Sequence, residues 1–318
     1  MSVTEEYRKI YNQYICKELE QEIAIYDEEK RINRYQPLSH NCLQKCNGIC
    51  KHDCCKSLGA LMRKNLIFYC YGEDEIVEKY VDGDLNDLKT ALKTAYKMRL
   101  PKRQHNSDGL PSEVLLDAII QSLFPNAYKM AVRTIFRQND NKEIKGYDLT
   151  YFTNMNGNIT LWLGQAKLGN KEYCKRGILD DLEKKYTDLY MAKQIYFMAD
   201  KPVGLTDEGR QIAKLLNRLN MQNIGEEENN RAERLMNFLK VQNIGIRIPC
   251  LLAYDKKLVY KDSSIIETKI NNEIKWAKKI FDKIFPFKDI EPELIFIIFP
   301  IDDLEELRGD EGFYEGLC

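Results

Sequence analysis

Histidine is scarce in this sequence: three in 318 residues, at positions 40, 52 and 105. None falls near the segment that carries the chemistry argued below. Serine and cysteine hydrolase schemes need an imidazole base beside the nucleophile, so they find no support. The chain also lacks a Gly-x-x-x-x-Gly-Lys-Ser/Thr loop and is not expected to burn ATP itself. No apolar run reaches the length of a membrane span, and the longest, 294–301, suits a buried strand. The first residues, MSVTEEYRK, are acidic and polar and do not read as a secretory signal. The expectation is therefore a cytoplasmic protein with no membrane partner. A net charge is missing too: 48 Lys and Arg are balanced by 49 Asp and Glu, giving −1. A chain that grips phosphates alone usually shows a basic excess or stripe. If DNA is the substrate, local geometry or a partner must supply the grip.

What is present is ordinary in bulk and unusual in two places. Hydrophobic content of 44% and charged content of 31% describe a globular chain long enough for one large domain or two modest ones. Ten cysteines are many for a reducing compartment, where thiols and metal ligands are favoured over disulfides. Cys42, Cys46, Cys50 and Cys54 stand four apart, with Cys55, His40 and His52 nearby. Four soft ligands are what a structural zinc needs, and an iron–sulfur cluster would also use thiolates. The alternative is a set of buried thiols that pack as small hydrophobes. The polar neighbours favour bound metal, with zinc ahead of iron–sulfur.

The second place is Lys145 to Asn170, KGYDLTYFTNMNGNITLWLGQAKLGN. Two runs rich in aromatic and β-branched residues flank Asn-Gly-Asn, which is a hairpin signal. Asp148 opens the first strand, and Gln165-Ala166-Lys167 closes the second. Antiparallel pairing brings them to one end of the hairpin, and alternation puts Gln165 and Lys167 on one face. The helix expected over 111–123 is largely apolar and carries Glu113 and Asp117. Glu113 can be a first-turn acid that favours the helix dipole, and Asp117 can cap, pair or face solvent. Two carboxylates, an amide oxygen and the Ala166 carbonyl make a hard-cation donor set, beside which a lysine can steady an attacking water.

Elsewhere the periodicity predicts helices over 4–33, 85–100, 178–193, 207–221, 226–241 and 267–285. Strands are expected over 66–71, 131–137, 194–199, 247–254, 258–260 and 294–300. The polar stretch 101–110 reads as a boundary between an N-terminal, α-rich, Cys-rich region (1–100) and an α/β domain (101–318). The basic cluster Lys97, Arg99, Lys102, Arg103 and His105 reads first as a solvated face. The repeated Asn-Ile-Gly at 223–225 and 243–245 reads as two helix stops with glycine in the left-handed position.

The order helix acid, strand aspartate, then amide-x-lysine on the next strand resembles the PD-(D/E)xK nuclease superfamily. More closely, 111–123, 146–152 and 161–168 resemble HamA, the nuclease subunit family of the Hachiman anti-phage system, with further likeness at 253–254 and 297–300. The resemblance implies an α/β fold with a restriction-endonuclease-like core, a mixed sheet flanked by helices. It implies a Mg²⁺- or Mn²⁺-dependent DNase in which Asp148 ligates the metal directly, Gln165 offers its side-chain oxygen and Glu113 ligates directly or through water. Lys167 would orient the water and offset charge on the scissile phosphate. A HamB-like helicase subunit would load or license the nuclease on DNA. The chain departs from the usual pattern at Gln165, where an acid is common, which removes one negative charge. The alternative is a catalytically weak or inactive nuclease fold that senses DNA or binds the partner. The Cys42–Cys55 cluster has no place in the resemblance.

Overall fold

The computed structural model describes residues 2–41, 54–100, 109–132, 146–200, 202, 204–284 and 291–317. Helices α1 (Val3–Tyr11) and α2 (Lys17–Glu22) lead into strands β1 (Ile23–Ile25), β2 (Glu29–Lys30) and β3 (Arg34–His40). Helices α3 (Cys54–Cys70), α4 (Glu73–Val81), α5 (Leu88–Thr94) and α6 (Leu110–Leu123) follow. Then come β4 (Tyr128–Lys129), β5 (Leu149–Met155) and β6 (Asn158–Gly169). The remainder is α7 (Lys171–Lys185), α8 (Asp188–Ala199), α9 (Asp207–Gln222), α10 (Glu228–Val241), β7 (Gly245–Asp255), α11 (Ile266–Phe281), β8 (Glu293–Ile301) and α12 (Leu304–Arg308). No described helix is long and apolar enough to cross a membrane.

Among the described residues the strands form one mixed sheet in the order β1-β3-β8-β7-β6-β5-β4, with β2 beside β3. Its centre, β3-β8-β7-β6, is parallel, and β5 and β4 add antiparallel edges. Strands buried on both faces need continuous apolar sequence, and LIFIIFPI of β8 is buried throughout. On one face α1, α3 and α6 set Tyr7, Leu66 and Leu116 against Tyr151, Trp162 and Ala166. On the other, α7, α8, α10 and α11 set Ile178, Ile195, Leu235 and Ile274 against Phe152, Leu163 and Cys250. The architecture is α/β, a mixed sheet flanked by helices.

Residues 1–100 and 101–318 share this sheet and one core. Strand β3 pairs with β8, and Tyr7 and Phe68 pack in the same cluster as Leu116 and Ile297. The expected boundary segment falls largely outside the described residues. The helix expected over 4–33 ends at Glu22, where Ile23-Ala24-Ile25 turns into β1.

The runs 66–71 and 194–199 are not strands. They are the C-terminal turns of α3 and α8, and their apolar character reflects burial on nearly all sides. The helix expected from 178 begins already at Lys171, and the span 178–193 divides into α7 and α8. Residues 257–259 form a 3₁₀ turn rather than a strand. Gly225 is left-handed (φ 93°), whereas at the second Asn-Ile-Gly it is Asn243 (φ 52°) that turns, and Gly245 begins β7. Of 131–137, only residues 131 and 132 are described, and they are not strand.

Lys129 of β4 is buried, and its ammonium donates to the carbonyls of Phe68 and Tyr71 (2.9 Å) at the end of α3. Its backbone N–H donates to Oε1 of the fully buried Glu73 at 3.0 Å, while Glu73 Oε2 has no hydrogen-bond partner among the described residues. Burial raises the Glu73 pKa from 4.5 to about 7, against the pull of the Lys129 N–H, Arg8 and the Lys129 ammonium; Asp74 adds to the rise. The folded state therefore binds more protons than the unfolded chain between these values, and stability falls as pH rises from about 4.5 to about 7. Glu73→Gln should raise the melting temperature relative to the parent by a few degrees at pH 8 and have little effect at pH 4.5. Melting curves at the two pH values check this, and an equal shift at both refutes it.

Candidate active site

The hairpin is built as its sequence requires. Asn156 (φ 54°) and Gly157 (φ 87°) form a two-residue turn, and Met155 pairs with Asn158. Both left-handed positions suit a turn whose twist matches the strands. Pairing runs to Leu149↔Gly164 and stops. Strand β6 continues to Gly169, where among the described residues its ladder partner is β7, through Gln165↔Cys250 to Gly169↔Tyr254. Among the described residues no strand pairs with the β5 edge of β6 from Gln165 onward.

Asp148 closes that end. Its N–H donates to the Gly164 carbonyl at 2.9 Å, and its Oδ2 accepts the Ala166 N–H at 2.8 Å. The carboxylate stands where a strand carbonyl would have been. In a strand the N–H and C=O of one residue point to the same edge, so the Ala166 carbonyl points to the Asp148 side.

Gln165 and Lys167 project to the α7 face, as alternation requires. Gln165 is fully buried, and its Oε1 accepts from Lys185 Nζ at 2.7 Å. Its Nε2 has no hydrogen-bond partner among the described residues. Lys167 Nζ lies 2.5 Å from Asp181 Oδ2, and Lys185 Nζ lies 3.0 Å from Asp181 Oδ1. Burial disfavours charge on Lys167, but the carboxylates of Asp148 and Asp181 outweigh it, and its pKa ends above the ordinary lysine value. Lys167 is therefore a fixed cation at neutral pH and not a proton acceptor. Gly177 of α7 makes room for it: a Cβ there would meet Lys167 Cε at 2.8 Å.

Glu113 approaches from the other face, in the first turn of α6. Phe124 packs on Trp162, Asp117 binds Tyr151, and Leu116 lies where a Cβ of Gly164 would reach. These contacts hold α6 against β5 and β6. Glu113 is buried, and its Oε2 accepts the Tyr69 hydroxyl. The structure thus brings Asp148, Gln165 and Lys167 together at one strand end. Glu113 lies on the other face of the sheet, in the first turn of α6, with its carboxylate on the Tyr69 hydroxyl.

A hard divalent cation prefers oxygens, and Mg²⁺ usually takes one or two carboxylates with water and phosphate oxygens. Asp148 and the Ala166 carbonyl fit that donor set. Gln165 Oε1 is engaged by Lys185 and does not join it in this arrangement. Among the described residues no group of three or more His, Cys, Asp or Glu side chains is placed to hold a metal ion. Cys42, Cys46 and Cys50 lie outside the described residues. Cys54 is buried, and its neighbour Cys55 has its sulfur 3.7 Å from His40 Nε2.

Asp181, Lys185 and Gly177 were not anticipated as site residues. Their signal in the sequence is a four-residue spacing on one helix face directly after the lysine strand, which reads as mixed surface charge until α7 is seen to begin at Lys171.

A family model, HamA, matches residues 14–317 of the chain, nearly its whole length. No curated protein matches it.

Proposed function

We propose a nuclease role on one premise: the chain belongs to the HamA family and is a Hachiman defence component. It is the DNase subunit of the defence complex, with a PD-(D/E)xK-type core formed by α6, β5, β6 and α7. It hydrolyses phosphodiester bonds when a helicase subunit loads or licenses it on DNA. The observation that supports this most is the Asp148 carboxylate on the Ala166 N–H at the end of the β5–β6 ladder, with the permanently charged Lys167 beside it.

Asp148, Glu113 and the Ala166 carbonyl would hold Mg²⁺ or Mn²⁺, which supplies a Lewis acid for phosphoryl oxygens. Lys167 offsets the charge that develops on the phosphate and orients the attacking water by hydrogen bonding, since a cation cannot take its proton. The partner supplies the grip on DNA that a net charge of −1 does not.

The test is degradation of plasmid DNA by the purified chain with its helicase partner. Cleavage should require Mg²⁺ or Mn²⁺, stop with EDTA, and be lost in Lys167→Ala while the melting temperature stays within a few degrees of the parent. Undiminished cleavage by Lys167→Ala refutes the assignment.

A second reading is favoured by one observation: the residue at the usual acid position is neutral and already engaged by Lys185. On that reading the fold senses DNA or restrains its partner without chemistry. Absence of cleavage by both the parent and Gln165→Glu, with partner and DNA present, supports it.

A further inference from the structure

We infer that Gln165 is not a metal ligand but the anchor of a relay, Gln165–Lys185–Asp181–Lys167, in which Lys185 and Asp181 are positioning residues for Lys167. The inference rests on the nuclease reading of the site and assigns roles within it.

Three links carry it. Gln165 Oε1 accepts from Lys185 Nζ at 2.7 Å, Lys185 Nζ lies 3.0 Å from Asp181 Oδ1, and Asp181 Oδ2 lies 2.5 Å from Lys167 Nζ. The amide has one oxygen, and the lysine holds it. Turning the amide over would set its NH₂ against the Lys185 ammonium, donor against donor. A cation on the remaining lone pair of Oε1 would stand beside the Lys185 ammonium, and the flipped amide would offer it only NH₂.

The charges agree with this. Asp148 and Asp181 balance Lys167 and Lys185, so with a neutral residue at 165 the cluster is balanced without a metal. A glutamate there would add a buried negative charge, which is costly unless paired.

Geometry explains why two residues of α7 are needed. Asp181 and Lys185 are four apart and share a face, while Gln165 and Lys167 are two apart and share a strand face. The helix pair therefore spans the strand pair, each bridging to one member. Lys167 has a long, flexible stem, and Asp181 together with the channel at Gly177 restricts it to one orientation. The lysine is thus braced before substrate arrives, which is the condition for electrostatic stabilisation at low reorganisation cost.

The test separates metal binding from turnover. Mn²⁺ binding is measured by titration calorimetry on the full chain without DNA, and cleavage is measured under single-turnover conditions with the helicase partner. Gln165→Ala should leave the Mn²⁺ dissociation constant within about twofold, whereas Asp148→Asn should weaken it at least about tenfold. Asp181→Asn and Lys185→Met should slow cleavage by about 10- to 100-fold with the metal concentration for half-maximal rate unchanged. Asp181→Glu should recover part of the loss.

If Gln165→Ala weakens Mn²⁺ binding as much as Asp148→Asn, Gln165 is a ligand and the inference is wrong. If Asp181→Asn and Lys185→Met, folded by their melting curves, cleave like the parent, the relay is idle and the inference is wrong. If Asp148→Asn also binds Mn²⁺ and cleaves like the parent, the nuclease reading itself fails, which is a different result.

Discussion

Asp148→Asn is expected to abolish the proposed metal-dependent DNA cleavage and to leave the protein folded. The asparagine Oδ1 still accepts from the Ala166 N–H, without the charge assistance of the carboxylate, so the end of the β5–β6 ladder stays closed. What is lost is a negative charge at the end of the β5–β6 ladder, beside Lys167. A neutral amide attracts a divalent cation far less than a carboxylate does, and Lys167 loses one of the two carboxylates that hold its charge. The cleavage rate should fall on the order of 10³-fold, while the melting temperature moves by no more than a few degrees. The measurement is a single-turnover assay on labelled duplex with the helicase partner, at several Mg²⁺ concentrations. Recovery of the rate at high Mg²⁺ would mean that the side chain serves metal affinity alone. Cleavage within about threefold of the parent at every concentration would remove Asp148 from the site, since a metal ligand cannot be that dispensable.

The hairpin was legible because its signal is local: Asn-Gly needs two left-handed residues, and the apolar runs on either side have no other way to pair. Helix α6 was legible for a similar reason, with Pro111 in its first turn and an apolar residue at nearly every position. From these two elements the sequence could place Asp148, Gln165 and Lys167 at one end of one hairpin.

What surrounds them was not legible. Asp181 and Lys185 look like the solvated face of a charged helix, and only the packing of α7 on β6 shows that they turn inward. The runs 66–71 and 194–199 are short and apolar, and such runs do not distinguish a buried strand from a buried helix end. The carbonyls that Lys129 caps show that the first of these is the end of a helix, and that contact spans 58 residues from Tyr71. The engagement of Gln165 by Lys185 is likewise a tertiary fact with no trace in the strand's own alternation.

The same limit applied to the two acids of α6, which the sequence shows as a pair four apart and the structure separates by their partners. Asp117 is buried, and its carboxylate accepts from Asn65 Nδ2 and Gln121 Nε2, each at 2.9 Å, and from the Tyr151 hydroxyl at 2.5 Å. The network extends outward: Tyr7 donates to Gln121 Oε1 at 2.6 Å and Tyr11 to Asn65 Oδ1 at 2.9 Å. It ties α1, α3 and α6 to β5 through side chains that have no access to water. Asp117→Ala removes the acceptor at its centre and strands two buried donors, Gln121 Nε2 and the Tyr151 hydroxyl, each at a cost of about 1–3 kcal/mol before relaxation, while Asn65 Nδ2 keeps the Val114 carbonyl. The expected loss is about 3–5 kcal/mol, read as a lower denaturant midpoint with an unchanged slope. Glu113→Gln should do the reverse. Its amide oxygen still accepts the Tyr69 hydroxyl, so stability should stay within about 1 kcal/mol while DNA cleavage is lost with the charge. A normal midpoint for Asp117→Ala would show that the network does not hold α6 on the sheet. Another contact, such as Phe124 on Trp162, would then have to fix α6 on the sheet.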